Sequence, residues 1–289
     1  MSTIQKLDLE TRPGVAGQEI RLSPFLRWAG GKRWLVPQIL ELLGEADISG
    51  YHEPFLGGGS VFFALRKTGR VYLSDLNKDL IEVYREVSSH PREVAELLSN
   101  YTNCATEYYA ARADLPDDPI QRAARFIFLN HTSYNGIFRV NLKGEYNVPY
   151  GSRKSVNMPD DDCLVRASAR LQGANLNDGD FESALSEVQP GDFVFLDPPY
   201  TVAHNENGFV KYNQHLFSFE DQERLAITLE RVVNMGAQFI LTNAAHDSID
   251  RLFSPLGRRF TVSRRNSIGG KQAARGQADE YVFTNVGVS

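Results

Sequence analysis

Four residues, Asp197-Pro198-Pro199-Tyr200, follow the apolar run Phe193-Val194-Phe195-Leu196. Ligands of open α/β sheets sit at the carboxyl ends of strands, and Asp197 stands at such an end. Two consecutive prolines fix φ and remove two backbone donors, so the neighbouring carbonyls are held as acceptors. An Asp197 oxygen and the Pro198 carbonyl can together accept both hydrogens of a primary amine. Tyr200 adds a flat face on which an aromatic ring can stack. The chemistry that fits is capture of an exocyclic amino group on a planar base.

A second constellation lies earlier. Glu53-Pro54-Phe55-Leu56-Gly57-Gly58-Gly59-Ser60 is a short apolar stretch opening into a glycine loop, and Asp75 closes the next apolar run. Glycines let backbone N–H groups approach a ligand, and an acid about 20 residues on can accept from ribose hydroxyls. Phe62 stands where G-x-G-x-x-G needs its third glycine, which disfavours a dinucleotide and leaves an adenosine-type ligand without phosphates. Gly30-Gly31-Lys32 has the tail of a phosphate loop, but Leu26 and Arg33 break that pattern, so triphosphate hydrolysis is excluded. Trp28 and Lys32 remain candidates to line a ligand pocket.

These groups need elements to carry them. Lys32 to Leu43 has apolar residues at helical spacing and predicts a helix. Tyr51–Phe55 predicts a strand, Ser60–Lys67 a helix and Arg70–Ser74 a strand ending at Asp75: a strand, Gly loop, helix, strand, acid unit. Residues 78–131 are mostly helical, broken at Pro91, Pro116 and Pro119. Residues 134–157 predict a loop or hairpin. Strand and helix then alternate again, with strands at Phe193–Leu196 and Gln238–Thr242 flanking a helix from Ser218, its N-cap, to Asn234. Arg259–Ser263 and Glu280–Thr284 predict a final antiparallel hairpin. Residues 1–22 read as a loose arm.

At 289 residues, with 42% hydrophobic and 23% charged residues, the chain is an ordinary globular sequence with length for a sizeable core. No run reaches the length of a membrane span, and the start lacks the pattern of a secretory signal. A cytoplasmic setting is the expectation. Cys104 and Cys163 have no metal-ligand spacing, so neither a disulfide framework nor a zinc site is expected. Net charge is −5, yet Arg258, Arg259, Arg264, Arg265, Lys271 and Arg275 fall in one stretch without an acid. Arg139, Lys143, Arg153 and Lys154 make a second basic stretch against Glu145 alone. A basic face on an acidic body admits a nucleic-acid partner.

Phe25-Leu26-Arg27-Trp28-Ala29-Gly30-Gly31-Lys32, then the Glu53–Ser60 segment, then Ser74-Asp75-Leu76-Asn77, then Asp197–Tyr200, stand in order. Together they resemble the Dam-like, alpha-group (D12 class) S-adenosylmethionine-dependent DNA adenine-N6 methyltransferases. The likeness runs from about residue 25 to the end. It implies a Rossmann-like α/β methyltransferase sheet with a terminal antiparallel hairpin and an inserted, mainly helical target-recognition domain. Residues 23–77 and 166–289 would form the catalytic domain and 78–165 the recognition domain. Trp28, Lys32, Glu53, Phe55, Gly57, Gly59, Asp75 and Asp197 would bind S-adenosylmethionine, with Glu53 near its methionine amino group and Asp75 on its ribose. Asp197 and Pro198 would hold N6 of a flipped-out adenine while Tyr200 stacks on it.

Residues 133–150 resemble the recognition hairpin of relatives that read GATC. Arg139 stands at a guanine-reading position, Ile137 and Pro149 at positions that touch a thymine methyl, and Tyr134 and Asn135 at positions that wedge into the opened duplex. Arg27 replaces the usual Lys that contacts the first base pair. Arg264 and Arg265 would contact phosphates from a loop within Arg258–Arg275. The likeness further implies double-stranded DNA as partner, no metal, a monomer with a possible cognate restriction enzyme, and a bacterial or phage origin acting on the nucleoid. Cytosine-N4 methylation is the alternative chemistry, disfavoured because that group usually carries Ser at the position of Asp197. A catalytically silent DNA-binding regulator is the alternative class, disfavoured by the intact Asp197–Tyr200 turn. Neither cysteine follows a proline, which disfavours cytosine-C5 chemistry.

Overall fold

The structure, a computed structural model, describes residues 22–44, 47–66, 68–141, 144–201, 217–265 and 277–287, together with Gln5–Lys6. Eight strands are described: β1 Gln5–Lys6, β2 Gly50–Glu53, β3 Arg70–Asp75, β4 Asn175–Asp178, β5 Phe193–Leu196, β6 Gln238–Ala244, β7 Arg258–Arg265 and β8 Gln277–Thr284. They form one sheet in the order β1-β7-β8-β6-β5-β2-β3-β4. β8 runs antiparallel to β6 and β7, and the other neighbours are parallel. This is the Rossmann-like α/β sheet with a terminal antiparallel hairpin that the sequence predicts.

Strand order reverses between β5 and β2, which are hydrogen-bonded neighbours. The chain therefore leaves these two strands in opposite lateral directions, opening a crevice beyond their carboxyl ends. The glycine loop leaves β2 there, and Asp197 leaves β5 there. The apolar run of β5 explains why it is central. Phe193 and Phe195 enter one buried cluster, and Val194 and Leu196 enter the other, so both faces are covered. Helices α2 (Lys78–Ser89), α3 (Pro91–Ser99), α5 (Pro119–Thr132) and α6 (Asp161–Leu171) lie on the first side. The helices Phe219–Asn234 and Asp247–Phe253 cover the second.

Several elements differ from expectation for local reasons. Lys32–Leu43 is a 3-10 turn at Lys32–Trp34 followed by α1, Val36–Leu43. Pro37 has no N–H to continue an α-helical ladder from the preceding turn. The expected helix 60–67 is reduced to one 3-10 turn, Phe62–Ala64. Arg70 pairs with Gly50, at the end of β2 remote from the glycine loop. The chain must return the length of the strand in few residues, and extended backbone gains about 3.3 Å per residue against 1.5 Å in a helix. β4 carries no apolar alternation, being a mostly exposed edge strand, so no pattern announces it. Gln5–Lys6, inside the segment read as a loose arm, pairs with β7.

Candidate active site

The acceptor turn is held from three sides. Lys32 Nζ donates to Asp197 Oδ1 at 2.7 Å and Oδ2 at 3.0 Å, and to the Gly30 carbonyl at 2.9 Å. Thr242 Oγ1, on β6, donates to Asp197 Oδ1 at 2.6 Å. Tyr200 Oη donates to Glu280 Oε2, on β8, at 2.8 Å. Lys32 Nζ is 3.7 Å from Glu280 and lies over the Tyr200 ring at 4.9 Å. Burial pushes the Tyr200 phenol well up, and the Asp197 and Glu280 carboxylates add to this, so the hydroxyl stays a donor. Behind the turn, fully buried Asn243 donates to Gln222 Oε1 at 2.9 Å, and Gln222 Nε2 reaches Thr201 Oγ1 at 3.3 Å and the Pro199 carbonyl at 3.4 Å.

The glycine loop lies across the crevice. Gly57 N–H donates to Asp75 Oδ2 at 2.9 Å, and Asn77 N–H donates to Oδ1 at 3.0 Å. Burial raises the Asp75 carboxyl, and these two donors oppose it. Tyr84, buried on α2, donates to the Gly57 carbonyl at 3.0 Å. Gly57 has φ +50°, and a Cβ there would stand 2.6 Å from Trp28 Cδ1. Trp28 in turn stacks on Phe138 of the hairpin, with centroids 6.0 Å apart at 17°. Phe55 packs against Phe181 and Phe217 at 5.7 and 5.6 Å.

Glu53 is buried below the loop. Tyr51 Oη donates to its Oε2 at 2.7 Å. Burial pushes the Glu53 carboxyl from its ordinary 4.5 up to about 8, with Asp197 and Asp75 adding to the rise. Folded Glu53 thus keeps a proton that the unfolded chain releases near pH 4.5. The resulting stability is complete below that value and is lost as pH rises through about 8. Glu53→Gln, which mimics the protonated form, is expected to gain thermal stability over the parent across that interval. Unfolding midpoints in a pH series check this, and a pH-independent difference would contradict it.

The hairpin following α5 is closed by the bridges Ser133–Tyr150 and Val140–Tyr146. Its predicted readers are brought to the surface. Arg27, Tyr134, Asn135, Arg139 and Pro149 are exposed, and Ile137 is half-buried. Arg139 Nε donates to Asn147 Oδ1 at 2.7 Å. Tyr108 and Arg112 on α4 (Ala105–Ala113) anchor the second arm through the Val148 carbonyl at 2.8 and 3.1 Å. The expected phosphate loop within Arg258–Arg275 is corrected in part, because Arg258–Arg265 is strand β7. Arg259 there pairs with Asp250 at 2.6 Å, and Arg258 donates to the Val286 carbonyl at 2.8 Å. The side chains of Arg264 and Arg265, and residues 266–276, lie outside the described residues.

The structure therefore brings Lys32, Asp197 and Tyr200 into direct contact and ties Gly57 to Trp28 and Asp75. Sequence reading missed Thr242, Glu280, Gln222, Asn243 and Tyr51. Thr242-Asn243 was a visible signal, two polar residues ending the apolar strand Phe239-Ile240-Leu241. Glu280 shares a buried face with Val282 and Thr284, and only the pairing of β8 with β6 shows which crevice it enters.

A Rossmann-like sheet with a glycine loop and an amine-holding turn at its switch point defines a candidate group-transfer enzyme of the methyltransferase class. Residues 28–267 match the family of D12 class N6 adenine-specific DNA methyltransferases. The chain is 34% identical to the type II methyltransferase M1.LlaDCHI of Lactococcus lactis subsp. cremoris, over 93% of this chain and 97% of that one. It is 35% identical to the type II methyltransferase M.MjaIII of Methanocaldococcus jannaschii, over 85% and 93%. It is 33% identical to the DNA adenine methylase of Escherichia coli K12, over 89% and 93%. The chain belongs to the D12 class of N6 adenine-specific DNA methyltransferases. Its substrate is DNA, and the family implies S-adenosylmethionine as methyl donor. Cytosine-N4 transfer and a silent regulator are thereby set aside. Among the described residues no helix is long and apolar enough to cross a membrane.

Proposed function

We propose that this enzyme methylates N6 of an adenine flipped out of duplex DNA within GATC, and that Asp197 and the Pro198 carbonyl hold the target nitrogen. One observation carries the reading: Asp197 already grips an amine, the Lys32 ammonium, with both oxygens. A carboxylate offers about four lone-pair sites. Lys32 and Thr242 take two on Oδ1 and one on Oδ2, so Oδ2 keeps an acceptor for N6. With both hydrogens accepted, the N6 lone pair withdraws from the ring and points out of its plane. Flipping costs a few kcal/mol and makes this geometry attainable. Tyr200, anchored by Glu280, offers its ring as the stacking face. Catalysis then rests on positioning and oriented acceptors.

The crevice fits the methyl donor. Glu53, Asp75 and Asp197 converge there electrostatically, and Glu53 has no cationic partner among the described residues. A ligand bearing a ribose diol, an ammonium and a sulfonium matches that set. Asp75 would take the ribose and Glu53 the ammonium, whose charge would draw the otherwise protonated Glu53 carboxyl into its ionised form, and Trp28, Phe55, Gly57, Gly59 and Lys32 would enclose the ligand. When bound it supplies an electrophilic methyl on a good leaving group. Residues 23–77 and 166–289 act as the catalytic part, and 78–165 as the recognition part.

Arg139 is the guanine reader in this proposal. Nε and Nη2 donate to the Asn147 side-chain and backbone oxygens at 2.7 and 3.5 Å, which aims the guanidinium and leaves the Nη1 hydrogens and one on Nη2 for O6 and N7. Arg139→Ala is expected to lose about 1–3 kcal/mol of discrimination at one guanine. Rates on duplexes altered at each GATC position check this, and an unchanged preference would remove Arg139 from readout.

The primary test is nucleoside mass spectrometry after reaction with S-adenosylmethionine, on DNA with GATC and on DNA differing only in its loss. N6-methyladenine confined to the first supports the proposal. N6-methyladenine in both keeps the reaction and discards GATC.

A further inference from the structure

Arg27, Arg33 and Arg153 line one cleft of about 570 Å³, beside Trp28, His131 and Asn135. Among the described residues no Asp or Glu lines it. Among the described residues none of the three guanidinium groups is ion-paired, whereas Arg92, Arg122, Arg224 and Arg259 each meet a carboxylate. Their partners are neutral and leave donors over. Arg33 donates to Ser23 Oγ at 3.0 Å, and Arg153 to the Ser133 carbonyl at 3.1 Å. Arg27 is fixed through its backbone, clamped on both sides by Asn130 at 2.8 and 2.7 Å. His131 is bonded to the Phe25 carbonyl, and burial, with Arg27, favours its neutral form. The cleft is thus a concentration of permanent positive charge joining the segment around Gly30-Gly31-Lys32 to the stretch after the hairpin.

Guanidinium forks without carboxylates suit an oxyanion with several acceptor oxygens. The substrate of this enzyme supplies one every nucleotide. We propose that the cleft takes a backbone phosphodiester of bound DNA, gripped by Arg33 and Arg153. This rests on the activity toward DNA and not on GATC recognition. Contacts of this kind fix register and carry no base information.

The test is equilibrium binding of the full chain to duplexes with and without GATC across a salt series, for Arg33→Gln, Arg153→Gln and Arg33→Lys. Each Gln variant is expected to lower the slope of log affinity against log salt by about 0.9. Its deficit should therefore shrink about 3.5-fold between 50 and 200 mM salt. The loss should be equal on both duplexes, with cofactor affinity unchanged and the Lys variant near the parental slope. Unchanged slopes in both Gln variants would overturn the proposal while leaving methylation, and so the enzyme reading, intact. A loss confined to GATC would make these residues base readers instead. Inhibition by inorganic phosphate that vanishes in the Gln variants at unchanged slope would assign the cleft to a small anion and equally overturn the proposal.

Discussion

Asp197→Ala is expected to lower methyl transfer by about a thousandfold or more, while the protein still folds and binds DNA. The size follows from what the carboxylate does. Removing one preorganised polar group at the reacting atom of an enzyme commonly costs about 10²–10³ in rate. In the proposed mechanism Asp197 has a double part, as acceptor for N6 and as the group that Lys32 and Thr242 orient. The fold should survive, because Lys32 keeps the Gly30 carbonyl at 2.9 Å and Glu280 at 3.7 Å. Its charge is not left buried and alone, the situation that makes loss of one ion-pair partner costly. Asp197→Asn preserves shape and one acceptor oxygen, so it should retain more activity than Ala. Single-turnover transfer followed by nucleoside mass spectrometry measures both. Transfer by the Ala variant within about tenfold of the parent would take Asp197 out of the amine-holding role.

Gly57→Ala is expected to weaken S-adenosylmethionine binding by more than about tenfold and to lower stability by about 1–3 kcal/mol. Two independent causes act at this position. The backbone has φ +50°, which a side chain disfavours, and the added Cβ would stand 2.6 Å from Trp28 Cδ1 and 2.8 Å from Nε1. The indole is rigid and stacked on Phe138, so it cannot yield as the tip of a flexible chain would. A displaced Trp28 would disturb both the glycine loop and the base of the recognition hairpin. Gly57 also donates its N–H to Asp75 and accepts from Tyr84, so the loop is tied to the acid that we assign to the ribose. By contrast, Gly44 has φ +57° and open space where a Cβ would go, so Gly44→Ala bears only the backbone strain. Calorimetric titration of the cofactor into both variants checks the contrast. Equal cofactor affinity in the two would show that the Trp28 contact is irrelevant to the site.

Much of this enzyme is determined by sequence alone, through features whose meaning is local. Phe193–Leu196 predicts a buried strand because a continuous apolar run can satisfy two faces, and the structure distributes its residues to both. Asp197-Pro198-Pro199-Tyr200 specifies its own backbone, because two prolines leave few conformations and few donors. Ser218 marks a helix start by its hydroxyl, and it forms a capping box with Asp221. Other features depended on partners that sequence distance hides. The grip on Asp197 comes from residues 165 and 45 positions away, Lys32 and Thr242. The anchor of Tyr200 comes from Glu280, on a strand whose neighbour is known only once the hairpin is paired. The return from Ser60 to Arg70 looked helical by composition, and the distance back to the start of β3 ruled it out. A run of basic residues carries no information about which will find carboxylates. Arg259 finds Asp250, while Arg33 and Arg153 meet neutral oxygens and share a cleft. Torsional preference and hydrophobic pattern act within a few residues and are therefore written in the chain. Charge pairing and acceptor orientation act through space, and only the packed sheet decides them.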